Sequence, residues 1–136
     1  AVSDLLYKQS GLLGLSGLSN DMRRLEESDS PAAQEAIAYF VARIRHELGG
    51  LTATLEGLDA LVFCGGIGEN SARVRAEACA RMGWLGLELD PARNRAGGHG
   101  TSGEISAEGS AVRVLVVPTN EEIVLARAAM AMLGAG

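Results

Sequence analysis

The chain has 136 residues, enough for one domain or part of one with a buried core, and 47% of them are hydrophobic against 21% charged, which excludes a disordered or fibrous chain. A formal net charge of -5 argues against a nucleic-acid backbone as partner, though not against a phosphate ligand held at a helix N-terminus. No apolar run approaches the ~20 residues needed to cross a bilayer, and the first residues carry no signal-peptide pattern.

In chain order, residues 2–7 read as a short helix, followed by a glycine-punctuated apolar stretch over 11–19. Asn20-Asp21 cap a short helix from Met22 to about Glu27. Ser30 followed by Pro31 marks a helix start, and Ile37, Phe40, Val41, Ile44 and Leu48 form its buried stripe. The stripe resumes at Leu51 and Leu55, so Gly49-Gly50 is either a break or only a weak point. Residues 58–64 form an apolar run without helical period that ends in Gly65-Gly66, a buried parallel strand. A helix is expected over 71–82, with Val74, Ala78 and Met82 on one face and Gly83 as its stop. Residues 85–89 alternate like a strand, and 91–102 read as a short helix running into an exposed loop. A second strand over 111–117 and a helix over 119–133, with Ile123, Ala126 and Met130 inward, complete the chain. Strand–turn–helix thus occurs twice, the pattern of an α/β architecture with ligands at the carboxyl ends of its strands. Cys64 and Cys79 are not a CxxC pair and read as buried free thiols, consistent with a cytoplasmic protein, and His46 and His99 read as surface residues.

Three segments carry chemistry. Gly65-Gly66-Ile67-Gly68-Glu69-Asn70 joins a strand to a helix, lets the main chain turn sharply and lets a ligand approach the backbone, with Asn70 as a cap for the following helix. The same turn also serves as a tight connection that binds nothing. Val116-Val117-Pro118-Thr119-Asn120-Glu121-Glu122 opens the last helix, where Thr119 and Glu122 have capping-box spacing. Glu121 is not needed for that box. It suits either the helix dipole or Mg²⁺, which takes oxygen ligands and readily combines one carboxylate with phosphate oxygens. Ser19-Asn20-Asp21-Met22-Arg23 offers a guanidinium beside an apolar side chain, a pairing able to sandwich a purine, and reads equally well as a capped helix start.

Read together, the segments 16–23, 61–71 and 117–122 resemble the acetate kinase family, in family order and across nearly the whole chain. The resemblance implies a partial nucleotide-binding domain of the actin/Hsp70/sugar-kinase (ribonuclease H-like) type over 1–136, α/β, with helices packed on a short sheet. It implies transfer of the ATP γ-phosphate to a short-chain carboxylate, with Asp21, Met22 and Arg23 lining the adenosine site. It further implies that Gly66, Ile67, Gly68, Glu69 and Asn70 form a second ATP-contacting loop and that Glu121 helps hold Mg²⁺. Met22 stands where relatives often have phenylalanine, and Cys64 where threonine is common. The family's substrate-orienting arginines, aspartate, histidine and asparagine belong to earlier parts of the polypeptide, so no catalytic residue is assigned here. The chain then corresponds to roughly the last third of such an enzyme, inactive alone, with exposed sheet edges, and with a homodimer expected of the intact protein.

Two rival readings stand beside this one. Gly66-x-Gly68 is part of the GxGxxG dinucleotide (Rossmann) fingerprint, with Glu88 or Asp90 about twenty residues on, but Ser71 replaces the third glycine. A folded segment that binds nothing is the other. A P-loop is excluded because no Gly-Lys-Ser/Thr triplet occurs.

Overall fold

The structure, a computed structural model, describes residues 2–133, with the side chains of Glu121, Val124 and Leu125 outside the described set. Three short helices come first, α1 (Val2–Lys8), α2 (Gly11–Ser16) and α3 (Met22–Glu26), then the long α4 (Pro31–Thr54). β1 (Ala60–Phe63) runs into α5 (Gly65–Asn70) and α6 (Ala72–Cys79). After a 3-10 turn at Gly83–Leu85 come α7 (Pro91–Arg95), β2 (Arg113–Val116) and α8 (Glu121–Leu133).

The two strands pair in parallel, Ala60 opposite Arg113 through Phe63 opposite Val116. Their connection carries α5, α6 and α7, so the expected α/β arrangement of helices on a short parallel sheet is present. Leu61, Phe63, Val112, Val114 and Val116 bury one sheet face against Ala78, Cys79, Met82, Leu87 and Ile105. A second cluster joins Met22 and Leu25 to Ala33, Ala36, Ile37 and Val41 of α4 and to Val74 of α6. Ile44 packs against both, so α4 is the beam that fixes α3 relative to the sheet. Each fully buried Leu, Ile, Val or Phe contributes about 1.5–3 kcal/mol relative to exposure.

Pro31 opens α4 with Ser30 extended before it, and the helix runs through Gly49-Gly50 without a break, since packing outweighs the low helix propensity of glycine. Several expectations are corrected. Residues 85–89 form no strand: after the 3-10 turn Gly86 takes a left-handed conformation, and Leu89 makes only an isolated bridge to Ser106. The alternation there reports Leu87 buried in the sheet cluster with Leu85 and Leu89 packed beside it. Ile123, Ala126 and Met130 of α8 are exposed rather than inward, because no element of the described chain covers that helix. Cys79 is buried, but Cys64 is exposed. It follows Phe63 in a chain that alternates sides, so Leu61 and Phe63 point inward while Val62 and Cys64 point out. His46 and His99 are exposed as expected.

Candidate functional site

The glycine segment is itself helical. Gly65 sits at φ +69, a left-handed conformation that glycine adopts without strain, and turns the chain from β1 into α5. Gly68 lies against the strand it has just left, where a β-carbon would meet the Phe63 carbonyl carbon at 3.3 Å. At Gly65 and Gly66 alike a β-carbon meets nothing within 4 Å, but Gly66 has no left-handed φ that would call for glycine. Backbone conformation accounts for Gly65 and packing against β1 for Gly68, whereas neither accounts for Gly66. Asn70 does not cap the next helix. Its side-chain amide donates to the Gly66 carbonyl at 2.8 Å, closing α5 on itself, and Ser71 caps α6 by accepting from the Val74 N–H at 2.9 Å.

The first wall of the site is the start of α3. Asp21 is its N-cap, accepting from the Arg23 N–H at 3.0 Å, and the Arg23 guanidinium lies 3.6 Å from the same carboxylate oxygen. Ser16 and Ser19 hold the approach to this turn through their hydroxyls, which accept from Leu18, Ser19 and Asp21 N–H groups. Met22 points the other way into the core, while Arg23 is largely exposed.

A cleft of about 370 Å³ opens between these two walls, lined by Asp21, Met22 and Arg23 on one side and Gly66, Ile67 and Asn70 on the other. Six of the eight residues expected to bind nucleotide therefore share one space, although more than 40 positions separate the groups. Gly68 and Glu69 stand outside it. The Ser71 hydroxyl donates to the Glu26 carboxylate, tying the end of α3 to the start of α6 and fixing the gap between the walls.

Glu69 has another task. Its carboxylate Oε1 accepts from the Thr119 N–H at 2.8 Å and the Gly65 N–H at 2.9 Å, while the Thr119 hydroxyl also accepts from Gly65 N–H at 3.0 Å. These bonds, the Thr119 backbone N–H foremost, hold the Glu69 carboxyl below its ordinary range despite some desolvation. The glycine segment is thus latched to the link between β2 and α8. Next to the latch, Gly65, Gly66, Glu69, Thr119, Asn120 and Glu122 line a second depression of about 410 Å³.

Asn120, rather than Thr119, caps α8: its side-chain oxygen accepts from the Ile123 N–H at 3.0 Å, and Thr119 serves the latch instead of a capping box with Glu122. Glu121 is the first residue of α8, beside this depression in sequence, and its side chain lies outside the described residues. Among the described residues no three His, Cys, Asp or Glu side chains converge on a metal position. The oxygens that line the depression nevertheless suit Mg²⁺, a hard cation that is commonly held by one or two carboxylates together with phosphate oxygens and water.

Arg75 and Asn94 carry a role that the sequence reading did not find. Arg75 is fully buried and donates to the Gly68 and Glu69 carbonyls at 2.8 Å each, to the Asn94 side-chain oxygen at 2.8 Å and to the Asn94 carbonyl at 2.7 Å. Asn94 also donates to the Ala72 carbonyl at 2.8 Å. A buried cation with no acid paired to it among the described residues is unusual in a core, and here it satisfies the C-terminal carbonyls of α5. The only available signal was an arginine on the buried side of a helical stripe. The dinucleotide reading fares poorly at the same sites: Asp90 caps α7 through the Ala92 and Arg93 N–H groups, and Glu88 lines a different cleft, between α6 and α7.

A parallel strand pair with a glycine turn at one strand's end and a cleft beside it defines an open α/β domain, the class in which ligands are expected at the carboxyl ends of the strands. The Acetokinase family model matches residues 1–127. The chain is 56% identical over 132 residues to an acetate kinase of Methylocella silvestris, covering 97% of this chain and 32% of that protein. It is 53% identical over 127 residues to an acetate kinase of Rhodopseudomonas palustris, covering 93% and 31%. Among solved structures, the acetate kinase of Porphyromonas gingivalis superposes with a TM-score of 0.85 at 38% identity, over 97% of this chain and 34% of that one. A propionate kinase from Francisella tularensis gives 0.80 at 34% identity, over 92% and 32%. The chain belongs to the acetokinase family and has the actin/Hsp70/sugar-kinase type of fold expected from its sequence. It spans about a third of the length of the curated relatives it matches.

Proposed function

We propose that residues 1–136 form the C-terminal portion of the nucleotide-binding domain of an ATP-dependent kinase that converts a short-chain carboxylate, acetate in the first instance, to an acyl phosphate. The observation that carries this reading is the cleft that faces Asp21, Met22 and Arg23 with Gly66, Ile67 and Asn70. Arg23 and the apolar side chain of Ile67 take the two faces of the adenine, Met22 anchors the start of α3 in the core behind them, and Asp21 holds the arginine and accepts from ribose hydroxyls. The N–H groups of the α5 start and the open position over Gly66 admit the phosphates. Glu69 acts through its latch and its place in the loop, keeping the glycine segment against Thr119.

Glu121, with Glu122 and the oxygens of Thr119 and Asn120 nearby, holds Mg²⁺ on the phosphate side. When bound, the cation neutralises phosphate charge that would otherwise be repelled by these carboxylates. The groups that orient the carboxylate substrate come from the part of the family's chain that this sequence does not span, so the chain alone turns over no substrate. The intact enzyme acts in the cytoplasm as a homodimer. Two free cysteines and the absence of any described helix long and apolar enough to cross a membrane support the first statement, and exposed Leu5, Leu6, Met130 and Leu133 support the second.

Calorimetric titration of the chain with Mg-ATP, ADP and NAD tests the reading. Binding of the adenine nucleotides with little response to NAD is expected. A preference for NAD, or no response to any nucleotide at millimolar concentration, overturns it.

A further inference from the structure

The helix that brings Gly66, Ile67 and Asn70 to the cleft has little of its own to keep it in place. α5 has 6 residues, well below the ~12–15 that an isolated helix needs in water, and none of them is buried. Ile67 packs only at the margin of a core cluster. Polar ties at the two ends of α5 therefore set its position. At the first end, Glu69 and Thr119 accept from the Gly65 N–H. At the second end, Arg75 Nη1 donates to the Gly68 and Glu69 carbonyls at 2.8 Å each.

A guanidinium is planar, so fixing one edge of Arg75 aims the other. Asn94 takes the Nε/Nη2 edge with two oxygens: its side-chain Oδ1 accepts from Nε at 2.8 Å and its main-chain carbonyl from Nη2 at 2.7 Å. The other half of the Asn94 amide is committed too, because Nδ2 donates to the Ala72 carbonyl at 2.8 Å. A flipped amide would set its donors against a guanidinium N–H and its oxygen against that carbonyl, so only one orientation serves. Asn94 itself is held from the sheet. Its N–H donates to the Asp90 carbonyl at 2.9 Å, Asp90 N–H donates to the Ile105 carbonyl at 3.0 Å, and Ile105 N–H donates to Val114 of β2 at 2.8 Å. The Arg93 guanidinium adds a bond to the Ser106 carbonyl at 3.1 Å. Hydrogen bonds thus lead without a gap from β2 through Asn94 and Arg75 to the end of α5.

We infer that Asn94 is a positioning residue for nucleotide binding: it aims the Arg75 guanidinium at the Gly68 and Glu69 carbonyls and so sets where Gly66, Ile67 and Asn70 stand in the cleft. Asn94 lines the separate cleft between α6 and α7 and is absent from the lining of the nucleotide cleft, so its effect on the nucleotide runs through Arg75. The consequence for nucleotide rests on the proposed function, whereas the hold on α5 does not.

The test compares wild type with Asn94→Ala, Asn94→Asp, Arg75→Lys and the double variant Asn94→Ala/Arg75→Lys. Mg-ATP affinity is read by calorimetry, and amide exchange at Glu69, Asn70 and Ser71 is read without nucleotide, with the amides of α4 as the internal standard. Asn94→Ala should weaken Mg-ATP binding about tenfold and speed exchange at these three amides about tenfold while α4 is unchanged. Asn94→Asp keeps an oxygen for Arg75 Nε and should stay within about threefold of wild type in the exchange reading. The double variant should bind Mg-ATP within about twofold of Arg75→Lys, because Asn94 has nothing left to aim. Unfolding of Asn94→Ala, or equal acceleration in α4, overturns the inference by showing that Asn94 serves the core as a whole. Unchanged exchange in Asn94→Ala, exchange in Asn94→Asp as fast as in Asn94→Ala, or additive losses of affinity in the double variant overturn it as well. Failure of wild type to bind Mg-ATP, with the exchange pattern as expected, counts against the proposed function and leaves the hold of Asn94 on α5 established.

Discussion

The Glu69 carboxylate and the Thr119 backbone N–H meet at 2.8 Å across 50 positions of sequence, and the same oxygen takes the Gly65 N–H. This bond joins the carboxyl ends of both strands, so it governs the glycine segment and the start of α8 together. The Glu69 carboxyl is held below its ordinary value of 4.5, chiefly by the Thr119 N–H. A depressed folded-state value stabilises the protein above the unfolded pKa, and that stability is lost as pH falls through the folded value. Urea unfolding of wild type and Glu69→Gln should differ by a constant amount from pH 8 to about pH 5. The gap should close as the medium is acidified below about pH 4.5. A gap that persists unchanged at pH 3 would remove the latch.

Gly66→Ala separates ligand approach from folding. The backbone there is helical and a β-carbon meets no neighbour, so the melting temperature should hold or rise slightly. The added methyl protrudes where the nucleotide is proposed to lie, and affinity for Mg-ATP should fall about tenfold, equal to about 1.4 kcal/mol. Titration calorimetry beside a thermal melt checks both. Unaltered affinity would show that the phosphates do not approach this residue.

Arg75→Met leaves the Gly68, Glu69 and Asn94 carbonyls without their donor in the core. Buried groups stripped of a charged partner cost about 3 kcal/mol or more in total. Chemical denaturation should show a loss of that order, and Arg75→Lys should recover only part of it because one ammonium cannot span the same carbonyls. A loss within about 0.5 kcal/mol, the range of ordinary surface substitutions, would mean that the clamp is not needed.

The two thiols should behave oppositely. Cys64 is exposed, whereas burial pushes the Cys79 thiol up to about 12, with nearby Arg75 opposing the shift only weakly. A chromogenic disulfide reagent at pH 8 should therefore label one thiol quickly, and Cys64→Ser should abolish that reaction. Cys79 should react only after denaturation. Rapid labelling of both thiols in the folded chain would contradict the packing of α6 on the sheet.

What the sequence by itself determined is local and periodic. Ser30-Pro31 announced α4, the apolar runs announced β1 and β2, and the glycines announced a turn that needs a left-handed Gly65. The ordered segments around Arg23, Gly66 and Glu121 were enough to state the family. Only the tertiary structure decided which side chains meet. Glu69 with Thr119, Ser71 with Glu26 and Arg75 with Asn94 lie 50, 45 and 19 positions apart, and no periodicity encodes such pairs. It also decided which apolar faces stay open. The stripe of α8 reads as buried because a stripe reports that a surface seeks cover, while the covering partner is set by the fold around it.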